Sequence, residues 1–134
     1  MEGQLDRSTP FTGEGWIEGI FRKVVPGGVE EAWREVIMST AYLSEADRQM
    51  ALEGKPVFRK PKAYVAGLSI DNVRRVVAIQ GAWWYRGVTC VEADAGGSLV
   101  THVVVNVAPI WTRWLAHIFQ ARAVRKNARA QAGR

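Results

Sequence analysis

The chain has 134 residues, enough for one domain with a real core and too few for two of ordinary size. Hydrophobic residues make up 48%, which excludes a globally disordered chain, and the single cysteine, Cys90, excludes an internal disulfide and any multi-cysteine metal site. The net charge of +5 is unevenly placed: Asp94 is the last acidic residue and Arg113, Arg122, Arg125, Lys126, Arg129 and Arg134 follow it, so the basic character belongs to the C-terminal end.

Residues 1–15 carry Gly, Ser, Thr and Pro with little periodicity and read as a flexible lead-in. The start, MEGQLDRSTP, has no apolar run of the signal-peptide kind. No window reaches the roughly 20 apolar residues of a spanning helix, so a cytoplasmic protein is expected. Residues 16–25, WIEGIFRKVV, begin with strict alternation and predict a strand, which Pro26, Gly27 and Gly28 stop.

Residues 29–38 place Val29, Ala32, Trp33, Val36 and Ile37 at helical spacing, with Glu30 and Glu31 in the first turn opposite the positive end of the dipole. A second short helix is predicted over residues 44–52. Ser44 is placed to cap it and Asp47 to complete a capping box, with Gly54 as the stop. Residues 55–62, KPVFRKPK, hold two prolines, so any strand there is short and at an edge.

Four strands are predicted next, over residues 63–70, 73–80, 83–93 and 99–107. Asp71-Asn72 and the run Asp94-Ala95-Gly96-Gly97 supply turns, with Asn72 suited to a positive φ. Short links make an antiparallel meander the expected arrangement. Residues 109–120, PIWTRWLAHIFQ, then predict a helix. Pro109 suits its first position, and Ile110, Trp111, Trp114, Leu115, Ile118 and Phe119 form one apolar side. Six such side chains, each worth about 1.5–3 kcal/mol on burial, require a broad surface beneath them. The expected fold is therefore α+β: a curved antiparallel sheet gripping a long C-terminal helix, with two short helices after the first strand.

Two strings carry a family resemblance. VVPGGVEEAWREV (residues 24–36) looks like a strand end, Pro and a Val-x-x-x-Trp helix. The run from Trp84 through EADAGGSLVTHVVVNV (residues 92–107) looks like a late hairpin, with Ser98 and Leu99 where Thr and Arg are common. Together with the element order they resemble the START-like helix-grip superfamily, SRPBCC, which includes polyketide cyclase/dehydrase and lipid-transport proteins. The resemblance spans residues 16–125 as a single domain, leaving 126–134 as a basic tail. It implies a hydrophobic cavity between sheet and terminal helix, and no one reaction.

The aromatics point the same way. Trp33, Trp84, Tyr85, Trp111 and Trp114, with Leu115, come from elements that would surround such a cavity, and few polar groups accompany them. A bound hydrophobic small molecule is the expected function. On strand 99–107 the set Leu99, Thr101, Val103, Val105 and Val107 is the more apolar, and Val100, His102, Val104 and Asn106 the mixed one. The apolar set is expected to face the terminal helix. If the mixed set faces inward, His102, Asn106, Arg86 and Cys90 become polar groups of the cavity.

A cyclase- or dehydratase-like enzyme would draw on His102 or Arg86 as catalytic candidates. Two histidines without a carboxylate cluster make no metal site, and no cofactor motif is present. Cys90 reads as a buried inert thiol. Arg74 and Arg75 are expected on opposite faces of a strand. The basic tail offers a third function, docking an acidic partner or an anionic membrane surface. Nucleic acid is not expected, because the tail interleaves no aromatics with its cations.

Overall fold

A computed structural model of the chain describes residues 11, 15–62, 66–81 and 85–108. The expected terminal helix over residues 109–120 and the basic tail lie outside the described residues. Six strands and two helices follow in the order β1 (Trp16–Val25), α1 (Val29–Ser39), α2 (Glu45–Leu52), β2 (Val57–Arg59), β3 (Gly67–Asp71), β4 (Val76–Gln80), β5 (Tyr85–Asp94) and β6 (Gly97–Asn106). The strands form one sheet in the order β1-β6-β5-β4-β3-β2, antiparallel throughout. The meander from β2 to β6 is the one expected, and the proline-marked segment forms its three-residue edge strand. The first strand closes the other edge by pairing with the last, residue for residue from Gly19↔Val104 to Val25↔Ser98.

The helices follow local rules. In α1 the apolar stripe is the buried face, with Ala32, Trp33, Val36 and Ile37 turned inward. In α2 the Ser44 hydroxyl accepts from the Asp47 amide and the Asp47 carboxylate accepts from the Ser44 amide, each at 3.1 Å, so two orphan donors of the first turn are satisfied. Gly54, at φ +79°, ends the element in a conformation that other residues adopt at a cost.

The sheet carries a core on each side. Trp33, Ile37, Leu43, Ala51, Leu68, Ile70, Val77 and Val91 join α1 and α2 to one face. Phe11, Val76, Ala78, Val88, Cys90, Val103 and Val105 form a second cluster on the opposite face. In the β5–β6 hairpin, Val91 faces Val100, Thr89 faces His102 and Tyr85 faces Asn106, so all six share the helix side. Arg86 faces Val105, Val88 faces Val103 and Cys90 faces Thr101 on the other side.

Two expectations are corrected here. The mixed set of β6, with His102 and Asn106, shares the face of α1 and α2 and the apolar set turns away from them, while the facing of either set to residues 109–120 lies outside the described residues. Arg86 and Cys90 do not join His102 and Asn106, because the hairpin register puts the two pairs on opposite faces. The β3–β4 turn also differs. Arg75, not Asn72, takes the positive φ, at +56°, and β4 begins only at Val76. The Asp71 carboxylate accepts from the Val73 and Arg74 amides, both at 3.0 Å, and builds a longer turn. Arg74 and Arg75 therefore sit in that turn, where the Arg75 guanidinium reaches Glu30 of α1.

Candidate functional site

The helix-side face is covered unequally. Near the C-terminal end of β5, α1 packs onto Val91 and its neighbours. Further along the same face Ile79, Tyr85, Thr89 and His102 remain partly exposed although β4, β5 and β6 are interior strands, and Phe21 of the edge strand β1 continues the row. On the opposite face the corresponding row is closed: Val88 and Val103 are fully buried and Ala78, Arg86 and Val105 nearly so. A partly open patch of apolar and aromatic side chains, with two polar groups in its middle, is what a small-molecule site requires.

Those two polar groups are Thr89 and His102. They face one another across β5 and β6, with Thr89 Oγ1 and His102 Nδ1 2.7 Å apart. The Phe21 ring, opposite His102 on β1, stacks beside the imidazole at a centroid distance of 6.4 Å. Burial lowers the imidazole pKa to about 4, so the ring is neutral at physiological pH. A neutral imidazole with one nitrogen engaged by Thr89 offers its other nitrogen as a donor or an acceptor, according to tautomer.

Tyr85 and Gly87 shape the floor. A Cβ on Gly87 would meet the Tyr85 hydroxyl and ring, so the phenol lies along the strand over the space the glycine leaves. Burial raises the phenol pKa, and the charge of Tyr42 adds to that shift. Tyr42 stands in the α1–α2 connection, 81% exposed and at φ +71°. At its far end Asn106 is fully buried: it donates to the Glu18 carboxylate at 3.1 Å and accepts from the Ala108 amide at 3.1 Å. Glu18 is the extra residue of a β-bulge in β1, and the bulge gives it the reach for this bond. Asn106 and Glu18 thus tie the two strand ends together.

The expected contact residues are spread apart or outside view. Trp84, Trp111, Trp114 and Leu115 lie outside the described residues. Trp33 is 6% exposed in the α1 core, and its indole N–H donates to Asn72 Oδ1 at 3.2 Å in the β3–β4 turn. That turn lies at the Cys90 end of β5, whereas Tyr85 begins the strand, and Val91 to Tyr85 alone spans about 20 Å. Trp33 and Tyr85 are therefore at opposite ends of the face. The two catalytic candidates are also separated: His102 is on the helix side, while Arg86, 1% exposed, donates to Gln80 at 2.7 Å on the other. Sequence reading passed over Thr89, Gly87 and Phe21. Counting two by two from the Asp94↔Gly97 turn would have placed Thr89 against His102.

A second concavity, an open groove, lies between α1, the end of α2 and the β3–β4 turn, beside Glu30, Trp33, Arg34 and Leu52. Two of its polar groups are already engaged, Glu30 by Arg75 and Asn72 by Trp33 and the Lys55 carbonyl. Among the described residues no three His, Cys, Asp or Glu side chains gather to hold a metal. No helix among them is long and apolar enough to cross a membrane. No family model, no curated protein and no solved structure matches this chain.

Proposed function

We propose that this protein binds a small, mostly apolar molecule on the helix-side face of β4, β5 and β6, with residues 109–120 closing over it. The observation that carries this reading is the partly exposed row Ile79, Tyr85, Thr89 and His102 on the interior strands β4, β5 and β6, continued by Phe21 on the edge strand β1. A helix with the apolar side of residues 109–120 needs a broad apolar surface, and this face offers one that α1 leaves uncovered. Trp84, Trp111, Trp114 and Leu115 would then complete the lining with Tyr85. The element order, with two helices between the first strand and the meander and the first strand beside the last, supports membership of the START-like helix-grip superfamily.

Carriage suits the site better than cyclase or dehydratase chemistry. A general base works best with a pKa near the operating pH, and an imidazole held near 4 is a weak one. Arg86 contributes nothing to a reaction on this face, because it points to the other. The test is native mass spectrometry of the purified protein, followed by titration with a diverse hydrophobic library read by tryptophan fluorescence. Retained small molecules and saturable quenching are expected. A bare mass together with a flat response across the library would remove the proposal.

A further inference from the structure

The chemistry of the patch restricts what it accepts, beyond its being apolar. We propose that the bound molecule presents an uncharged hydrogen-bonding group, a hydroxyl or a carbonyl, to His102 and Thr89, and that the site rejects carboxylates. This rests on the ligand-binding reading of the same face.

The polar pair is built into the sheet. Thr89 and His102 are register partners on adjacent interior strands, and their mutual hydrogen bond of 2.7 Å fixes the plane of the ring. Phe21 stacked beside the imidazole restricts it further. Among the described residues His102 Nε2 has no hydrogen-bond partner, and the side chain is partly exposed. One polar atom in an apolar patch is thus held in a defined direction with its hydrogen-bonding capacity unused. A ligand hydroxyl satisfies it in either tautomer and a carbonyl does so when Nε2 carries the proton, and the Thr89 hydroxyl rotates to match.

The charges of the described residues around the pair disfavour an anion. Arg86 and Arg22 belong to the opposite face, paired with Val105 and Thr101. Lys23 is on the helix side but on the edge strand, where it is exposed. Arg75 is engaged by Glu30. At the Asn106 end the described charge is the Glu18 carboxylate, itself an anion. A carboxylate covered here would lose its hydration and gain no buried counter-charge from the described residues, which is strongly unfavourable. The imidazole does not supply one, since it is neutral near pH 7.

The test uses three probes with one ring system: naphthalene, 2-naphthol and 2-naphthoate. They are titrated into the full chain at pH 7.5 and followed by amide chemical shifts in two-dimensional NMR. We expect 2-naphthol to bind about tenfold more tightly than naphthalene and than 2-naphthoate, with the largest shifts around Thr89 and His102. In His102→Phe the advantage over naphthalene should disappear. Thr89→Val, which keeps the shape of the strand residue, should reduce it several-fold and serves if the first variant fails to fold. Equal or tighter binding of 2-naphthoate overturns the inference, as does a 2-naphthol advantage that survives in the folded variants, and both leave apolar binding intact. Failure of all three probes on a face that also ignores the hydrophobic library overturns the binding reading as well.

Discussion

Thr89 and His102 sit opposite each other on β5 and β6, with Oγ1 and Nδ1 2.7 Å apart, and the imidazole is neutral because it is buried. This pair has a thermodynamic signature. The folded-state pKa is about 4, against 6.5 for a free histidine, so the unfolded chain takes up a proton first as pH falls. Stability from this residue is present above pH 6.5, is lost progressively below it and levels off below about 4. The full loss is on the order of 3 kcal/mol. Chemical denaturation between pH 7.5 and 4.5 should show this fall, and His102→Gln should flatten it. A His102 ring that titrates near 6.5 by NMR would contradict the account.

A second acid-sensitive element lies elsewhere. Arg59 of β2 clasps the Asp47 carboxylate of α2 through two parallel bonds of 2.8 and 2.9 Å, while the same carboxylate completes the α2 cap. The guanidinium holds the Asp47 pKa far below the usual carboxylate range. This contribution is present above the unfolded pKa of 3.8 and is lost as pH falls from there, in a window below that of His102. Asp47→Ala removes the carboxylate half of the capping box and one partner of the ion pair, and leaves the bond from the residue 47 amide to Ser44. The Arg59 side chain is 46% exposed, so it returns to water at little cost. The expected loss is about 2–3 kcal/mol, seen as a lower melting temperature at pH 7. A change under 0.5 kcal/mol would show the clasp to be unimportant.

How much of this was readable beforehand depends on the range of the interaction. Ser44 and Asp47 were legible because a capping box is made within one turn. Trp33 and its stripe were legible because burial follows helical period. The facing of β5 and β6 was not legible from composition, since Tyr85, Thr89 and Val91 are as mixed as Arg86, Val88 and Cys90. A single residue of register exchanges the two sets. The turn at Asp71 was misplaced because Asn72 satisfied a local rule, whereas tertiary contacts select Arg75. Its carbonyl accepts from the Val91 amide at 3.1 Å and its guanidinium reaches Glu30. The site itself was half visible: His102 stood out by residue type, but Thr89, Gly87 and Phe21 acquire meaning only from strand pairing.

Cys90 provides a direct check on that pairing. On the face away from α1 it is 3% exposed, and burial, with the Glu92 charge adding, raises its thiol pKa to about 11. Only the thiolate reacts rapidly with disulfide reagents. At pH 8 the folded protein should therefore react with a chromogenic disulfide only as fast as it unfolds, and one equivalent should react at once in denaturant. Stoichiometric reaction within seconds under native conditions would put Cys90 on an open surface and reverse the facing of β5.

Gly87 tests the shape of the site rather than its chemistry. Its missing side chain leaves the space along which the Tyr85 phenol lies, and a valine there would collide with the far end of that side chain, not with backbone. The ring must then swing outward, into the patch beside Thr89 and His102. Valine is itself well suited to a strand interior, where glycine is destabilising, so Gly87→Val should leave the melting temperature within about 3 °C of the parent. Binding of an apolar probe should weaken about tenfold, because the displaced ring occupies its space. The double variant Tyr85→Ala, Gly87→Val removes the colliding group and should recover most of the affinity. Weakened binding that the second substitution does not restore would mean that Gly87 acts on the backbone of β5 and not through Tyr85. Unchanged binding in the single variant would move the ligand off this face altogether.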